Sequence, residues 1–222
     1  MTSTESRQRA GMERFDSIAA AWDDNPGRVA IARAVAQAIT QAVPLAGTER
    51  ALELGCGTGL LTALLARGLG RVTAADNSRG MLDVLRRKLA ELDIRNVEAL
   101  ETDLSRHMPA GPFDLVFSSM TLHHVEDVAA LLRRVFGSVA PGGRVAFADL
   151  DREDGSFHSP DVPDVMHHGF EREQLARWLG AAGFADAQVR TAHVIRRPGP
   201  DGSMREYPVL LATARRGDGA AA

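Results

Sequence analysis

Apolar residues recur along this chain with two different periods. Between Gly11 and Trp22, the residues Met12, Phe15, Ile18, Ala19 and Trp22 stand three and four apart, the spacing of one helix face. Asp23-Asp24-Asn25-Pro26-Gly27 interrupts that stripe, and Pro26 suits the first position of a second helix. Its inner face is Val29, Ala32, Ala36, Ile39 and Val43, and Pro44 ends it. The apolar runs then shorten. Ala51–Leu54, Arg71–Ala75, Val97–Leu100, Pro112–Phe117 and Arg144–Ala148 read as strands. Helices are predicted between them over Thr58–Leu69, Met81–Leu92 and Glu126–Val139, the last two with Met81, Leu82, Leu85, Leu89 and Leu92, and with Val128, Leu131, Leu132, Val135 and Val139, facing inward. Pro141-Gly142-Gly143 predicts a turn before the fifth strand.

Beyond that strand the periodicity stops. Asp151–Gly169 is polar and rich in histidine, and a loop this long in a compact domain is functional or disordered. Phe170–Ala182 resumes as a helix closed by Gly183. Two strands, Ala187–Ile195 and Glu206–Ala214, follow, joined by the turn Pro198-Gly199-Pro200-Asp201-Gly202. Residues 1–10 and 216–222 are expected to be loose tails. Repeated strand–helix alternation predicts an α/β fold, a doubly wound and mostly parallel sheet with helices on both faces. It forms one domain over 11–215, with a helical cap (11–44), a core (50–150) and a ligand-side loop (151–170). Right-handed crossovers would bring the carboxyl ends of the strands to one rim, carrying Gly55, Asp76, Asp103, Ser118 and Asp151.

The chemistry concentrates in Ala51-Leu52-Glu53-Leu54-Gly55-Cys56-Gly57-Thr58-Gly59-Leu60-Leu61. Alternate glycines between a strand and a helix permit positive φ and close ligand approach, and the helix adds unpaired N–H groups. No basic residue lies between Gly55 and Leu61, so this is not the Gly-Lys-Ser/Thr cradle of triphosphates. The third glycine also comes one residue early for a dinucleotide turn. Asp76 ends the next strand, where a carboxylate can accept both ribose hydroxyls; capping the following helix is its other reading.

The Glu53-x-Gly55-x-Gly57-x-Gly59 pattern followed by Asp76 resembles the class I S-adenosylmethionine-dependent methyltransferases, of the small-molecule, methyltransferase-11-like type. The resemblance spans about Phe15 to Arg215. It implies a seven-stranded Rossmann-like sheet with its last strand antiparallel, S-adenosyl-L-methionine as cofactor, and S-adenosyl-L-homocysteine as product. The expected cofactor-binding residues are Glu53, Gly55, Cys56, Gly57, Gly59, Asp76, Asn77, Met81, Asp103, Leu104, Ser118, Trp22 and Arg28. Asp103 and Leu104 fit the adenine edge, with helix capping as the alternative for Asp103. Arg28 suits the methionyl carboxylate or, equally, a helix surface. Trp22, Phe15 and Met120 are candidate walls around the sulfonium charge. The N-terminal helices either cover the cofactor or form a cap without ligand contact.

A weakly acidic acceptor needs a general base, and histidine suits neutral pH. His123 and His158 are the leading catalytic candidates, with His124, His167 and His168 also on predicted rim loops, and Asp151, Glu153 and Asp154 as possible assistants. No H-x-x-x-H spacing is present, so no metal is expected.

Composition narrows the partner. The chain has 222 residues and net charge −3, which gives no global field favouring nucleic acid or an anionic membrane. No apolar run reaches membrane-spanning length, the N-terminus lacks a signal-peptide core, and the one cysteine rules out an internal disulfide. A cytoplasmic enzyme acting on a small-molecule methyl acceptor is the expectation, with no nucleic-acid or membrane partner and an open oligomeric state. Ser118-Ser119-Met120-Thr121 replaces the Asn/Asp-Pro-Pro-aromatic segment of DNA amino-methyltransferases, and the lone Cys56 argues against arsenic methylation. The Leu122-His123 region loosely resembles quinone-biosynthesis C-methyltransferases. A non-catalytic S-adenosylmethionine-binding protein and a nucleotide-dependent oxidoreductase are the readings from other classes.

Overall fold

The structure, a computed structural model, describes residues 3–104, 106–199 and 201–218. Pro200 of the predicted turn and residues 219–222 of the predicted tail lie outside it. Two helices come first, α1 (Ser3–Ile18) and α2 (Pro26–Ala42), with a 3-10 turn over Ala19–Asp24 between them. The expected loose tail is therefore helical from Ser3. Glu5, Arg7, Gln8 and Arg9 are good helix formers with no glycine or proline among them, and Arg9 pairs with Glu13 one turn on. This polar turn needs no apolar stripe, which is why hydrophobic spacing missed it. Asn25 caps α2 by accepting from Gly27 N and Arg28 N, and Pro26 takes the first turn as predicted.

The core alternates β1 (Arg50–Leu54), α3 (Leu60–Leu65), β2 (Arg71–Asp76), α4 (Arg79–Glu91), β3 (Val97–Glu101), β4 (Phe113–Ser119), α5 (Val128–Ser138) and β5 (Val139–Leu150). Then follow α6 (Arg172–Ala181), β6 (Ala185–Pro198) and β7 (Met204–Arg215). The strands form one seven-stranded sheet in the order β3-β2-β1-β4-β5-β7-β6. β7 runs antiparallel to both neighbours, and the β1–β5 pairings are parallel. The predicted Pro141-Gly142-Gly143 turn lies inside β5 as an irregularity, where the register on β4 slips between Phe113 and Leu115.

Period-two alternation along the strands builds two cores. Ala51, Leu115, Phe117, Ala146, Ala148, Val209 and Leu211 face α2, α3 and α4. Their neighbours Leu52, Leu54, Val116, Val145, Phe147, Leu210 and Ala212 face α5 and α6. Helices on both faces leave the sheet's carboxyl rim as the free edge of the core, and the strand order reverses there between β1 and β4. Ligands of such sheets bind at that switch point. Among the described residues, no helix is long and apolar enough to cross a membrane.

Candidate active site

Gly55, Gly57 and Gly59 all adopt positive φ, at 65, 53 and 76°. Their roles differ. A Cβ on Gly55 would strike the Thr121 side chain, and one on Gly59 would strike Leu85 Cδ1. These two glycines let β1, the segment after β4, and α4 close together. A Cβ on Gly57 would meet nothing within 4 Å, so this position keeps an open concavity beside bare backbone.

Asp76 ties that turn to β2. Its carboxylate accepts from Gly57 N at 2.7 Å and from Ser78 N at 2.9 Å. Burial raises its pKa even though these N–H groups favour the anion. Each oxygen retains lone-pair capacity for a further donor, so the N-cap and ligand-facing roles are compatible.

The N-terminal segment is bolted over this turn. Asp23 accepts from Thr58 Oγ1 at 2.6 Å and pairs with Lys88 Nζ at 2.6 Å, while Lys88 also donates to Thr58 O at 2.7 Å. Asp16 accepts from Ser78 Oγ and Gly80 N at the start of α4. The result is a single cavity of about 1770 Å³ whose wall includes Phe15, Trp22 and Arg28 from the cap. That exceeds the ~300–1,000 Å³ of a typical single-ligand site and leaves room for two molecules. Arg28 lies 3.6 Å above the Trp22 ring and donates to Trp22 O. Burial, with Arg14 nearby, lowers its pKa.

Glu53 lines the cavity and is buried. Burial lifts its carboxyl to about 8, with the Thr62 hydroxyl, which donates to it, pulling the other way. The proton is thus held more tightly in the folded chain than in the unfolded one. The stability Glu53 contributes is present below its ordinary 4.5 and is lost as pH climbs through about 8. Thermal melts of the ligand-free protein should fall across that window, and Glu53→Gln should flatten the decline. An identical slope in the variant would remove Glu53 as its source.

At the other end, three imidazoles converge. The strand β4 leads into Met120, which adopts φ 57° and donates to Ala148 O, and then into a 3-10 turn at Leu122–His124. The His123 ring is buried, and its Nδ1 lies 2.7 Å from Asp149 Oδ1. Because a carboxylate only accepts, Nδ1 carries the proton and Nε2 presents a lone pair. Burial lowers the His123 pKa, and Asp149 works against that shift without reversing it. His124 Nδ1 is 3.0 Å from both the main-chain O and Oδ2 of Asp164. Burial penalises its charged form, yet the Asp164 contacts outweigh this and raise its pKa. His158 Nε2 sits 3.1 Å from His123 Nε2. Burial, then the neighbouring His123, His124 and Arg197, push His158 down to about 3.

The loop 151–169 carries His158 into this position in an ordered conformation. Glu153 accepts from Gly155 N and Phe157 N, and Met166 N and His167 N donate to His123 O. Phe157 packs edge-on to His158 and to Tyr207, with Arg197 stacked on Phe157 at 4.2 Å.

The cavity wall includes Glu53, Gly55, Cys56, Gly57, Asp76, Asn77, Met81, Asp103, Leu104, Met120, His123, His124 and His158. Burial holds the Cys56 thiol well above its ordinary range, so it is not a thiolate. Seven expected participants sit elsewhere, among them Glu153, whose carboxylate holds the 151–169 loop through Gly155 N and Phe157 N. Gly59 packs on Leu85, and Ser118 is buried behind the wall with its Oγ unpartnered, while Ser119 takes the wall position. His167 reaches the Val125 and Glu126 carbonyls, and His168 is exposed near Glu153. Asp151 pairs with Arg172, and Asp154 with Arg205. Sequence spacing also hid Asp149 and Asp164, the acids that orient the two histidines. Asp149 lies one position before the end of β5, and a search for acids near every strand terminus would have found it.

Comparison with known proteins agrees with this geometry. A family described as "Methyltransferase domain" matches residues 51–143, the glycine turn through β5's irregularity. An uncharacterized methyltransferase of Mycobacterium tuberculosis is 31% identical over 157 residues, covering 68% of this chain and 75% of that protein. A demethylmenaquinone methyltransferase of Clavibacter sepedonicus is 32% identical over 220 residues, covering 79% of this chain and 82% of that one. Among solved structures, the DhpI–SAH complex superposes with a TM-score of 0.72 at 27% identity, covering 95% of this chain and 97% of that chain. With the glycine cradle, the Asp76 carboxylate and the β3-β2-β1-β4-β5-β7-β6 sheet already in place, these relatives decide the assignment: the chain belongs to the class I S-adenosylmethionine-dependent methyltransferases.

Proposed function

We propose that this enzyme methylates a small molecule whose nucleophilic atom must lose a proton, and that the acceptor binds between Trp22, Met120 and the histidine cluster. Bound S-adenosylmethionine supplies an electrophilic methyl group on a sulfonium, which an aligned nucleophile displaces in line. The residues of this chain then have distinct tasks. Gly57 and the neighbouring backbone admit the cofactor, Asp76 takes the ribose hydroxyls, and Asp103 with Leu104 takes the adenine edge. Glu53 and Arg28 suit the two charged ends of the methionyl group; an ammonium beside Glu53 favours its ionised form despite burial. Phe15, Trp22 and Met120 exclude water and wall the sulfonium. Alignment is the largest catalytic contribution open to the protein, worth up to roughly 7–11 kcal/mol in intramolecular reactions.

The observation that carries the acceptor's proton loss is the buried Asp149–His123 pair. It fixes one tautomer and leaves a lone pair on Nε2 at the cavity wall. Lowered basicity keeps His123 neutral and ready to accept a proton near neutral pH. A screen of small oxygen, nitrogen, sulfur and carbon acids with labelled S-adenosylmethionine tests this, scored by S-adenosylhomocysteine release. Turnover only with acceptors lacking an ionisable proton would overturn it. The 32% identity to a demethylmenaquinone methyltransferase favours a quinone-type carbon acid as the second reading. An enol or quinol acceptor presents an acidic proton to the same cluster, so both share the base. Gly57→Ala probes the cradle alone. The added methyl has room in the ligand-free fold, at a left-handed backbone cost of about 1–2 kcal/mol. It should leave the protein folded while weakening S-adenosylhomocysteine by at least about tenfold, or 1.4 kcal/mol. Unchanged affinity would place the ligand away from Gly57.

A further inference from the structure

We infer that His123, His124 and His158 form a three-nitrogen site for a divalent transition ion of the zinc class, with its open position facing the acceptor. One ligand atom from each ring lies within 4.8 Å of the others, and all three rings line the cavity. The His123 and His158 Nε2 atoms are 3.1 Å apart, close to the separation of two nitrogens on one tetrahedral ion with bonds of about 2.0–2.1 Å.

The hydrogen bonds behind the rings make the same point. Asp149 holds the proton of His123 on Nδ1, and Asp164 holds that of His124 on Nδ1. His123 Nε2 is therefore a lone pair, and His124 Nε2 becomes one when the ion displaces its proton. Carboxylates set behind ligating imidazoles fix the tautomer and raise ligand strength in this way. His158 Nε2 either donates to His123 Nε2 or, as the third lone pair, shares an ion with it. The sequence conceals the site because His158 lies 35 residues from His123.

Three nitrogens leave one tetrahedral position for an oxygen, nitrogen or sulfur of the acceptor. An acceptor bound there gives up its proton to water at lower pH, because the ion stabilises the anion that remains. In the loaded enzyme His123 is a ligand, and the ion acidifies the acceptor in place of the bare Nε2. Binding of the ion itself does not depend on the acceptor or on methyl transfer.

Cobalt(II) is the probe. The full chain, stripped with chelator and exchanged into chelator-free buffer, is titrated with cobalt(II) while its visible spectrum is followed. The expected result is intense tetrahedral ligand-field absorption that saturates at equimolar metal and is displaced by zinc. Asp164→Asn should weaken binding by about 10–100-fold. His158→Ala, on a partly exposed loop, should abolish the bands while its melting transition persists. Weak octahedral-type absorption only, or tetrahedral bands unchanged in His158→Ala, would overturn the site. S-adenosylhomocysteine calorimetry on the same sample separates the two readings. Heat without cobalt bands rejects the ion and keeps the methyltransferase; bands without heat do the reverse.

Discussion

Replacing His123 by Gln should lower kcat by about 10²–10⁴-fold, the range a positioned general base contributes, while S-adenosylhomocysteine affinity changes by less than about threefold. The variant is chosen for the chemistry around it. His123 and Asp149 are both buried, and Ala at 123 would strand a carboxylate without its partner, at about 3–5 kcal/mol of stability. A glutamine amide can still donate to Asp149 but cannot take a proton in the reaction. The loss should therefore appear in turnover rather than in folding or cofactor binding. Asp149→Asn should fall in the same direction, because an amide can donate to Nδ1 and release the ring to the other tautomer. Wild-type kcat in His123→Gln, with the acceptor saturating, would take the ring out of the chemistry.

The second large effect is expected at Asp76. Asp76→Ala should weaken S-adenosylhomocysteine by about 100-fold, equivalent to about 2.7 kcal/mol. The residue acts twice. It would accept from the ribose hydroxyls, and hydrogen bonds to a charged acceptor are worth about 1.5–3 kcal/mol. It also holds Gly57 N and Ser78 N, fixing the turn that forms the cradle. Asp76→Asn separates these tasks, since the amide oxygen can keep one N–H partner but the nitrogen cannot accept. A loss in Asn close to that in Ala would point to the charge and both acceptors; a loss in Ala alone would point to the turn.

Asp76 was legible because its partners are local in the fold's grammar. One helix and one strand separate it from the glycine turn, and parallel pairing of β1 with β2 brings their ends together. The place of Met81, Asp103 and Leu104 on the cavity wall was legible for the same reason, as each follows a strand at a fixed step. The seven-stranded sheet and its antiparallel β7 also matched expectation. The histidine site was only half legible. Clustering of histidines on rim loops suggested a shared pocket, but nothing in the chain said which ones meet. The choice depends on how the 151–169 loop folds back, through Met166 N and His167 N on the His123 carbonyl, and periodicity is silent on irregular segments. That fold brings His158 in and leaves His167 and His168 out. The acids behind the cluster are equally remote, Asp149 by 26 residues from His123 and Asp164 by 40 from His124. Likewise, Lys88 and Asp23 lock the cap only because α4 and the 3-10 turn pack together. Such pairings are products of tertiary structure: a chain read in order can place Asp149 near a strand end, but it carries no local signal for which side chain it meets.

Everything assigned here requires that the Gly57 cradle, roofed by Trp22 and Arg28, takes an adenosyl amino acid. Isothermal calorimetry of the purified chain with S-adenosylhomocysteine is the most direct measurement. Saturable binding at one molecule per chain, weakened by both Asp76→Ala and Gly57→Ala, is the expected result. Absence of heat with this ligand and with S-adenosylmethionine, in protein shown to be folded, would contradict it.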